Sequence, residues 1–214
     1  FSIIGIRKGS GMIAPNMATM LAFIFTDANV KNLQLSKKLN SSIQKSFNNI
    51  TVDGDTSTND MVSIFSIKRK NSYKKKYFNN QQLKKFQRDL DDISIDLAKK
   101  IVVDGEGAKK LIEIEVVRAK NNKQAKNVAL SIANSLLVKT AIAGEDANWG
   151  RIIMAIGKSS STIKQNKISI KIGKNYVIKN GEIIKNYNEN IVTKHLKKDE
   201  IHLFIDLFLG AGSS

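Results

Sequence analysis

The spacing of apolar residues along the chain predicts several amphipathic helices. Over 33–47, for example, Leu35, Leu39, Ile43 and Phe47 recur four residues apart and would share one helix face. Similar stripes of apolar side chains, spaced three or four residues apart, occur over 82–102 and 123–138. A shorter helix is predicted over 150–156.

Shorter apolar or alternating runs predict strands between these helices. They cover residues 20–28, 61–67, 111–117, 167–173, 175–184 and 202–209. Asn180-Gly181 interrupts one of them, and this dipeptide is a strong signal for a hairpin turn. Because helices and strands are mixed and some strands are joined by hairpins, we expect an α+β fold. It would be a layered sandwich of the α/β/β/α type with mainly antiparallel sheets, in which 20–26 is a central strand.

Composition removes several classes of function. The 214 residues include no cysteine, which excludes disulfides, Cys-ligated zinc and thiol catalysis. Only two histidines are present, His195 and His202, so a metal site or a Ser-His-Asp triad has almost no ligands to draw on. We therefore expect no bound metal. No apolar run approaches the ~20 residues that a membrane helix needs, so we also expect no membrane partner.

The strongly basic charge does not by itself indicate a nucleic-acid partner. The formal net charge is +16, but 30 of the 35 basic residues are lysines and only 5 are arginines. Arginine is the residue preferred for bidentate phosphate and base recognition. Abundant Lys, Asn and Ile are explained equally well by A/T-rich codons. We interpret the densest basic run, 68–77, as a solvated loop or strand end, and we expect no nucleic acid.

Four polar segments are too rich in glycine and charge to be explained by core packing. They are KGSGMIAPNMATMLAF (8–23), DGDTSTNDM (53–61), DGEGAKK (104–110) and GEDANWGR (144–151). The second invites a calcium interpretation through its alternating oxygen-bearing residues Asp53, Asp55, Ser57 and Asn59. The sixth and twelfth positions of an EF-hand loop require Gly and Glu, and here they are Thr58 and Ile64. We therefore favour a polar turn in which short side chains cap backbone groups.

The two later segments each have a structural and a chemical interpretation. Gly105 and Gly107 would end the preceding helix with positive φ angles, yet this does not explain Glu106 between them, which could approach a cationic ligand. Glu145 and Asp146 would lie near the start of the helix over 150–156, where the macrodipole favours acids. For Glu106 the residues alone leave both alternatives open.

The first segment closely resembles the self-processing site of the ornithine acetyltransferases, also called glutamate N-acetyltransferases. The other three segments resemble signatures of the same family, in the same order and at compatible spacing, so the resemblance runs from about Lys8 to Gly212. It implies self-cleavage between Ala18 and Thr19, with Thr19 as the catalytic nucleophile of the new chain. It also implies that Lys8 and Glu106 bind substrate.

The activity implied by the resemblance is a ping-pong acetyl transfer in arginine biosynthesis. Thr19 would take acetyl from N-acetylornithine and pass it to glutamate without a cofactor, in the cytoplasm; acetyl-CoA is left open as a further acetyl donor. Residues 1–18 would belong to the α-chain after the cut, 19–118 would form a first lobe, and 119–214 a second. A composition shift at 119–124 supports the boundary between the lobes.

Family members carry further segments upstream and downstream of the region matched here, including the oxyanion hole. We therefore expect an exposed apolar surface, a partner α-chain in a hetero-oligomer, and no activity from residues 1–214 alone. Two alternatives remain open at this stage. One is a non-catalytic remnant that keeps the fold, and the other is a related self-cleaving aminopeptidase.

Overall fold

The structure, a computed structural model, divides the chain into two compact units. Unit 1 comprises Phe1–Ala108 and unit 2 comprises Lys109–Ser214. The residues that it describes are 1–9, 20–55, 60–67, 76–159, 162–185 and 187–214. The boundary between the units therefore lies before the strand predicted over 111–117. The sequence placed this boundary between residues 118 and 119, which put that strand in the first lobe.

Unit 1 is built on a sheet in which β2 is the middle strand of those that the described residues form. β1 (Ile3–Lys8) runs antiparallel to β2 (Leu21–Thr26), and β3 (Met61–Ser66) runs parallel to β2. The sequence predicted a central strand over 20–26, and β2 occupies that position. It did not predict β1, whose six residues pair with β2 along its whole length.

Two helices, α1 (Asn32–Lys45) and α2 (Asn80–Val103), form the core of unit 1 with one face of this sheet. Ile24 of β2 and Phe86 of α2 are both fully buried in that core. Gly5 of β1 lies directly beneath α2, because a Cβ atom there would stand 2.6 Å from Cδ1 of Leu97. This close approach, which a larger residue would prevent, fixes β1 against the helix.

The opposite face of the unit 1 sheet is apolar and exposed. Ile4 is 63% exposed and Ile6 is 55% exposed, although both are large aliphatic residues in a regular strand. On β3, Phe65 is 46% exposed, and its ring stacks on Phe25 of β2 with centroids 5.3 Å apart. Contiguous apolar surface of this kind is characteristic of faces that other protein segments cover. The apolar surface expected from the sequence is therefore present.

Unit 2 contains a larger mixed sheet with the strand order β4-β8-β5-β6-β7. Its strands are β4 (Leu111–Val117), β5 (Ser169–Ile172), β6 (Asn175–Lys179), β7 (Glu182–Ile183) and β8 (Glu200–Asp206). Its helices are α3 (Asn122–Ala133), α4 (Leu136–Ala143), α5 (Trp149–Gly157) and α6 (Glu189–Leu196). Buried residues of β8, such as Leu203, share the core of this unit with α3 and α5.

The α+β class is confirmed, with a qualification about strand direction. Each sheet contains one parallel pair, β2 with β3 and β4 with β8, and the remaining pairs are antiparallel. The Asn180-Gly181 turn joins β6 and β7, and both of its residues have positive φ angles, as the sequence predicted. The single helix predicted over 123–138 is wrong: α3 ends at Ala133, and the Ser135 side chain caps a new helix by accepting the Val138 amide.

None of the helices in the described ranges is long and apolar enough to cross a membrane. The longest of them, α2, carries charged residues throughout one face.

Asp91 of α2 links the two helices of unit 1. Its Oδ1 accepts hydrogen bonds from Oγ of Ser42 at 2.6 Å and Nε2 of Gln87 at 2.8 Å, and its Oδ2 accepts one from Nζ of Lys45 at 2.7 Å. Burial acts to raise the pKa of Asp91, but these three hydrogen bonds outweigh it, so the pKa lies below its ordinary value of 3.8. The folded protein therefore favours the ionised carboxylate.

We predict that Asp91→Ala lowers the free energy of unfolding by about 1–3 kcal/mol at pH 7, because the buried Ser42 hydroxyl and Lys45 lose the charged acceptor that joins α1 to α2. Since the pKa is depressed, the contribution is present above the unfolded value and is lost as pH falls through the folded one. Urea unfolding of the wild type and of Asp91→Asn should therefore converge in acid. Asp92→Ala, an exposed neighbour on the same helix, is the control. A loss equal to that of the control would contradict the prediction.

Candidate active site

Three of the four polar segments meet at one end of the unit 1 sheet. Leu21, the first residue of β2, lies opposite Lys8 in β1 and opposite Met61 in β3. The last residue of β1 and the first residues of β2 and β3 therefore lie at the same edge of the sheet. Because β3 is parallel to β2, the residue just before β2 and the residue just before β3 lie at the same edge.

The backbone of Met20 is held there by hydrogen bonds to two consecutive residues. The Met20 amide donates to Oδ1 of Asp60 at 2.5 Å, and the Met20 carbonyl accepts from the Met61 amide at 2.9 Å. The Met20 side chain is buried, with 3% exposed. Burial raises the pKa of Asp60, and the hydrogen bond from the Met20 amide acts against this rise. Both polar groups of Met20 thus have fixed partners.

The C-terminal end of α2 reaches the same edge through an ion pair. Nη1 of Arg7 lies 2.5 Å from Oδ2 of Asp104, the residue at which α2 ends. Arg7 precedes Lys8, and Asp104 comes two residues before Glu106, which is exposed. The ion pair therefore brings the backbone segments that carry Lys8 and Glu106 to one end of unit 1.

The two glycines beside Glu106 have different functions. Gly107 lies in the turn that follows α2 and has a φ of +73°, in the left-handed region that favours glycine. The positive φ predicted for Gly105 is wrong. Gly105 is buried, and a Cβ atom there would stand 2.9 Å from Cγ1 of Val52. Close packing against the segment before Asp53 is therefore what requires a glycine.

Several residues singled out in the sequence lie outside the described residues. They are Ala18, Thr19, Ser57, Asn59 and most of the basic run over 68–77. Of the suggested calcium ligands, Asp53 is described, and its Oδ1 accepts the Asp55 amide at 2.9 Å. This is the local turn that the sequence favoured. In the described part of the chain, no group of three or more His, Cys, Asp or Glu residues could hold a metal ion.

The fourth segment belongs to unit 2, and its acids lie just before α5. The first turn of α5, which begins at Trp149, contains no acidic residue, and Oδ2 of Asp146 accepts a hydrogen bond from Nδ2 of Asn148, the residue that precedes the helix, at 3.4 Å. Glu145 instead has a φ of +58° and accepts a hydrogen bond from Nζ of Lys110 at 3.1 Å. Lys110 also donates to the carbonyl of Leu196 at 2.5 Å. This segment therefore stabilises unit 2 internally.

Sequence reasoning overlooked the residues that organise this edge. Asp60 was considered only as part of a polar turn, and neither Arg7 nor Asp104 was singled out. Their partners are separated from them by 40 residues for Asp60 and 97 residues for the ion pair. No local pattern in the sequence encodes such distant contacts. The one signal in the sequence was proximity to another feature. Asp60 directly precedes a predicted strand, and Arg7 and Asp104 each lie within two residues of a candidate substrate-binding residue.

Comparison with known proteins shows one family throughout. The model of the ArgJ family matches residues 1–214. Proteins named arginine biosynthesis bifunctional protein ArgJ are 48% identical in Gluconobacter oxydans, over 98% of this chain, and 43% identical in Agrobacterium fabrum, over 100%. The chain spans about half the length of these relatives, 50% and 52%. A crystal structure of the ArgJ protein of Bacillus halodurans aligns with a TM-score of 0.85 and 42% identity over 92% of each chain.

We predict that the Arg7–Asp104 ion pair contributes to geometry far more than to stability. Asp104 is 57% exposed, so a double-mutant cycle of Arg7→Ala and Asp104→Ala, read by urea unfolding, should give a coupling of about 0.2–1 kcal/mol. The exposed pair of Asp96 and Lys100 on α2 is the matched control and should give a similar value. A coupling above about 2 kcal/mol would show instead that the pair is a principal stabilising contact.

Proposed function

This chain belongs to the ArgJ family, and from that premise we propose that it carries the nucleophile of an acetyltransferase of arginine biosynthesis. The proposed reaction moves an acetyl group from N-acetylornithine to glutamate. The observation that carries the proposal is the string KGSGMIAPNMATM leading directly into the middle strand of the unit 1 sheet. A residue placed just before such a strand is attached to the most firmly held part of unit 1.

Self-cleavage supplies the base that the nucleophile needs. The Thr19 hydroxyl attacks the Ala18 carbonyl carbon, the peptide C–N bond breaks, and water then hydrolyses the resulting ester. A threonine hydroxyl is a poor nucleophile without an adjacent base. The cut frees an α-amine on the same residue, and such amines have pKa values of about 7.7–8.0, so part of the population is neutral near pH 7. The β-branched side chain also restricts the direction of the hydroxyl.

Acetyl transfer then proceeds in two balanced half-reactions. The Thr19 hydroxyl gives its proton to the α-amine and attacks the acetyl carbon of N-acetylornithine. The amide C–N bond breaks, ornithine leaves with the proton on its amine, and an acetyl ester remains on Thr19. The amine of glutamate attacks this ester, the C–O bond breaks, and the hydroxyl recovers a proton as N-acetylglutamate leaves. No cofactor takes part, although acetyl-CoA could serve as the donor in the first half-reaction.

Lys8 and Glu106 supply the charges that an amino-acid substrate requires. We assign Lys8 to the substrate carboxylate and Glu106 to its ammonium group, since each offers the opposite charge. Their backbone segments meet at one end of unit 1 through the Arg7–Asp104 ion pair. The proposed cut at Ala18–Thr19 would leave Lys8 on the other chain, but the ladder between Ile3–Lys8 and Leu21–Thr26 would hold β1 in place.

The same ladder supports a hetero-oligomer of α- and β-chains. After cleavage, β1 would belong to the last part of the α-chain, and the six residue pairs that join it to β2 are a ready interface. The exposed apolar face with Ile4, Ile6 and Phe65 contains residues of both proposed chains and offers surface for the remainder of the α-chain. We expect the assembly in the cytoplasm, where its amino-acid substrates are made.

Thr19→Ala should abolish both the cut and acetyl transfer, because nucleophile and base belong to one residue. Thr19→Ser should keep part of both, since the hydroxyl is retained and only the stiffening methyl is lost. The open reading frame that encodes this chain is expressed in full. Mass spectrometry then searches for a fragment beginning TMLAF, and acetyl exchange from N-acetylornithine to labelled glutamate measures transfer. Full transfer by Thr19→Ala would overturn the proposed mechanism, and release of free acetate or amino acids alone would indicate a hydrolase.

Lys8→Ala and Glu106→Ala should mainly raise KM, because these charges bind the substrate in its ground and transition states alike. Loss of a charge-assisted hydrogen bond corresponds to an increase of roughly 10–100-fold in KM. Lys109→Ala, an exposed lysine near Glu106 in sequence, serves as the control and should leave KM unchanged. Unaltered KM values in both variants would exclude them from the substrate site.

A further inference from the structure

Asp60 makes a side-chain hydrogen bond that a residue in a solvated turn before a strand would not need to make. It is the residue directly before β3, and its side chain turns back to accept the amide of Met20, the residue directly before β2. That amide nitrogen is bonded to the carbonyl carbon of Thr19. The carboxylate is therefore one peptide unit from the residue proposed as the nucleophile.

We propose that Asp60 is a positioning residue for Thr19, acting by fixing the peptide bond between Thr19 and Met20. This inference rests on the proposed function and extends it to a residue outside the substrate site. The Asp60 carboxylate holds the amide side of Met20, and the Met61 amide holds its carbonyl side. Asp60 and Met61 thus hold the amide and the carbonyl of Met20, the residue that follows the proposed nucleophile.

The side chain of Met20 adds a third constraint. It is buried in the core of unit 1 beside Ile101 of α2. A Cβ atom at Gly9 would stand 3.6 Å from Cγ of Met20 and 3.6 Å from Cγ2 of Ile101, so the end of β1 packs against it as well. Met20 is therefore held by packing of its side chain and by hydrogen bonds to both of its backbone polar groups. Of its two hydrogen-bond partners, Asp60 acts through its side chain, so a substitution can remove that partner.

A carboxylate is suited to this position. Hydrogen bonds to an ionised acceptor are stronger than those between neutral groups, so a carboxylate holds the Met20 amide more firmly than a neutral oxygen would. A displacement of about 1 Å at a reacting group can cost 10²-fold in rate. Loss of the Asp60 acceptor should therefore slow chemistry that depends on the orientation of the Thr19 hydroxyl, while substrate binding by Lys8 and Glu106 is retained.

The test compares Asp60→Ala and Asp60→Asn in the full open reading frame. Asp60→Ala should slow self-cleavage and lower kcat by about 10²-fold, with KM changed less than about threefold. Asp60→Asn keeps an oxygen acceptor and should restore at least a tenth of both rates. Asp55→Ala, an exposed acid in the same loop, is the control and should stay within twofold of the wild type. A KM increase with unchanged kcat in Asp60→Ala would overturn the inference.

A spectroscopic measurement makes the result independent of activity and folding yield. In ¹⁵N-methionine-labelled protein, with Met20 assigned from Met20→Leu, the Met20 amide proton should shift with the titration of one carboxyl group. The shift should vanish in Asp60→Asn and persist in Asp104→Asn, which removes the nearby acid paired with Arg7. A Met20 amide that does not titrate in the wild type would overturn the inference.

The two proposals fail in different ways. A wild type that is cut at Thr19 and transfers acetyl, while Asp60→Ala does both equally fast, would overturn this inference alone. A wild type that is not cut, and in which Thr19→Ala makes no difference to transfer, would overturn the proposed function and this inference with it.

Discussion

The middle position of β2 in its sheet is the constraint on which the polar edge of unit 1 depends. A strand with neighbours on both sides has its backbone groups paired along its length, and in β2 the pairing reaches its first residue. Leu21 is matched to Lys8 on one side and to Met61 on the other. Three features are consequently brought to one place: the two described ends of the Gly-rich segment, Gly9 and Met20; Asp60; and the Arg7–Asp104 ion pair with the end of α2.

This arrangement places exposed charged side chains next to a closely packed core. The core beneath the edge is closed by Ile24, Phe86 and Ile101, all fully buried. The charged groups above it, Lys8 and Glu106, remain open to solvent. Catalytic and binding residues commonly lie on loops that a rigid scaffold positions. Here the scaffold is a parallel strand pair, whose crossover through α1 brings two distant loops to the same edge.

Local signals in the sequence identified most elements, and contacts over long sequence distances account for what they missed. α2 follows from its apolar stripe, and the β6–β7 hairpin from Asn180-Gly181, because each signal lies within a few residues. The break between α3 and α4 was missed because a single capping side chain, Ser135, outweighed a continuous apolar period. The sequence placed β4 in the first lobe, whereas the division into units places it in unit 2, where it pairs with the distant strand β8. For the site, the resemblance suggested Lys8 and Glu106, whereas the contact of Asp60 with Met20 is visible only in the fold.

The hydrogen bond between Met20 and Asp60 also sets an order of events during synthesis. A ribosome adds about 5–20 residues per second, so the 40 residues that separate the two groups take roughly 2–8 s to make. Until Asp60 and β3 have emerged, β2 lacks its parallel neighbour and the Met20 peptide lacks both of its partners. Under the proposed cut between Ala18 and Thr19, cleavage would therefore come only after the strands that hold the two parts of the chain together had formed.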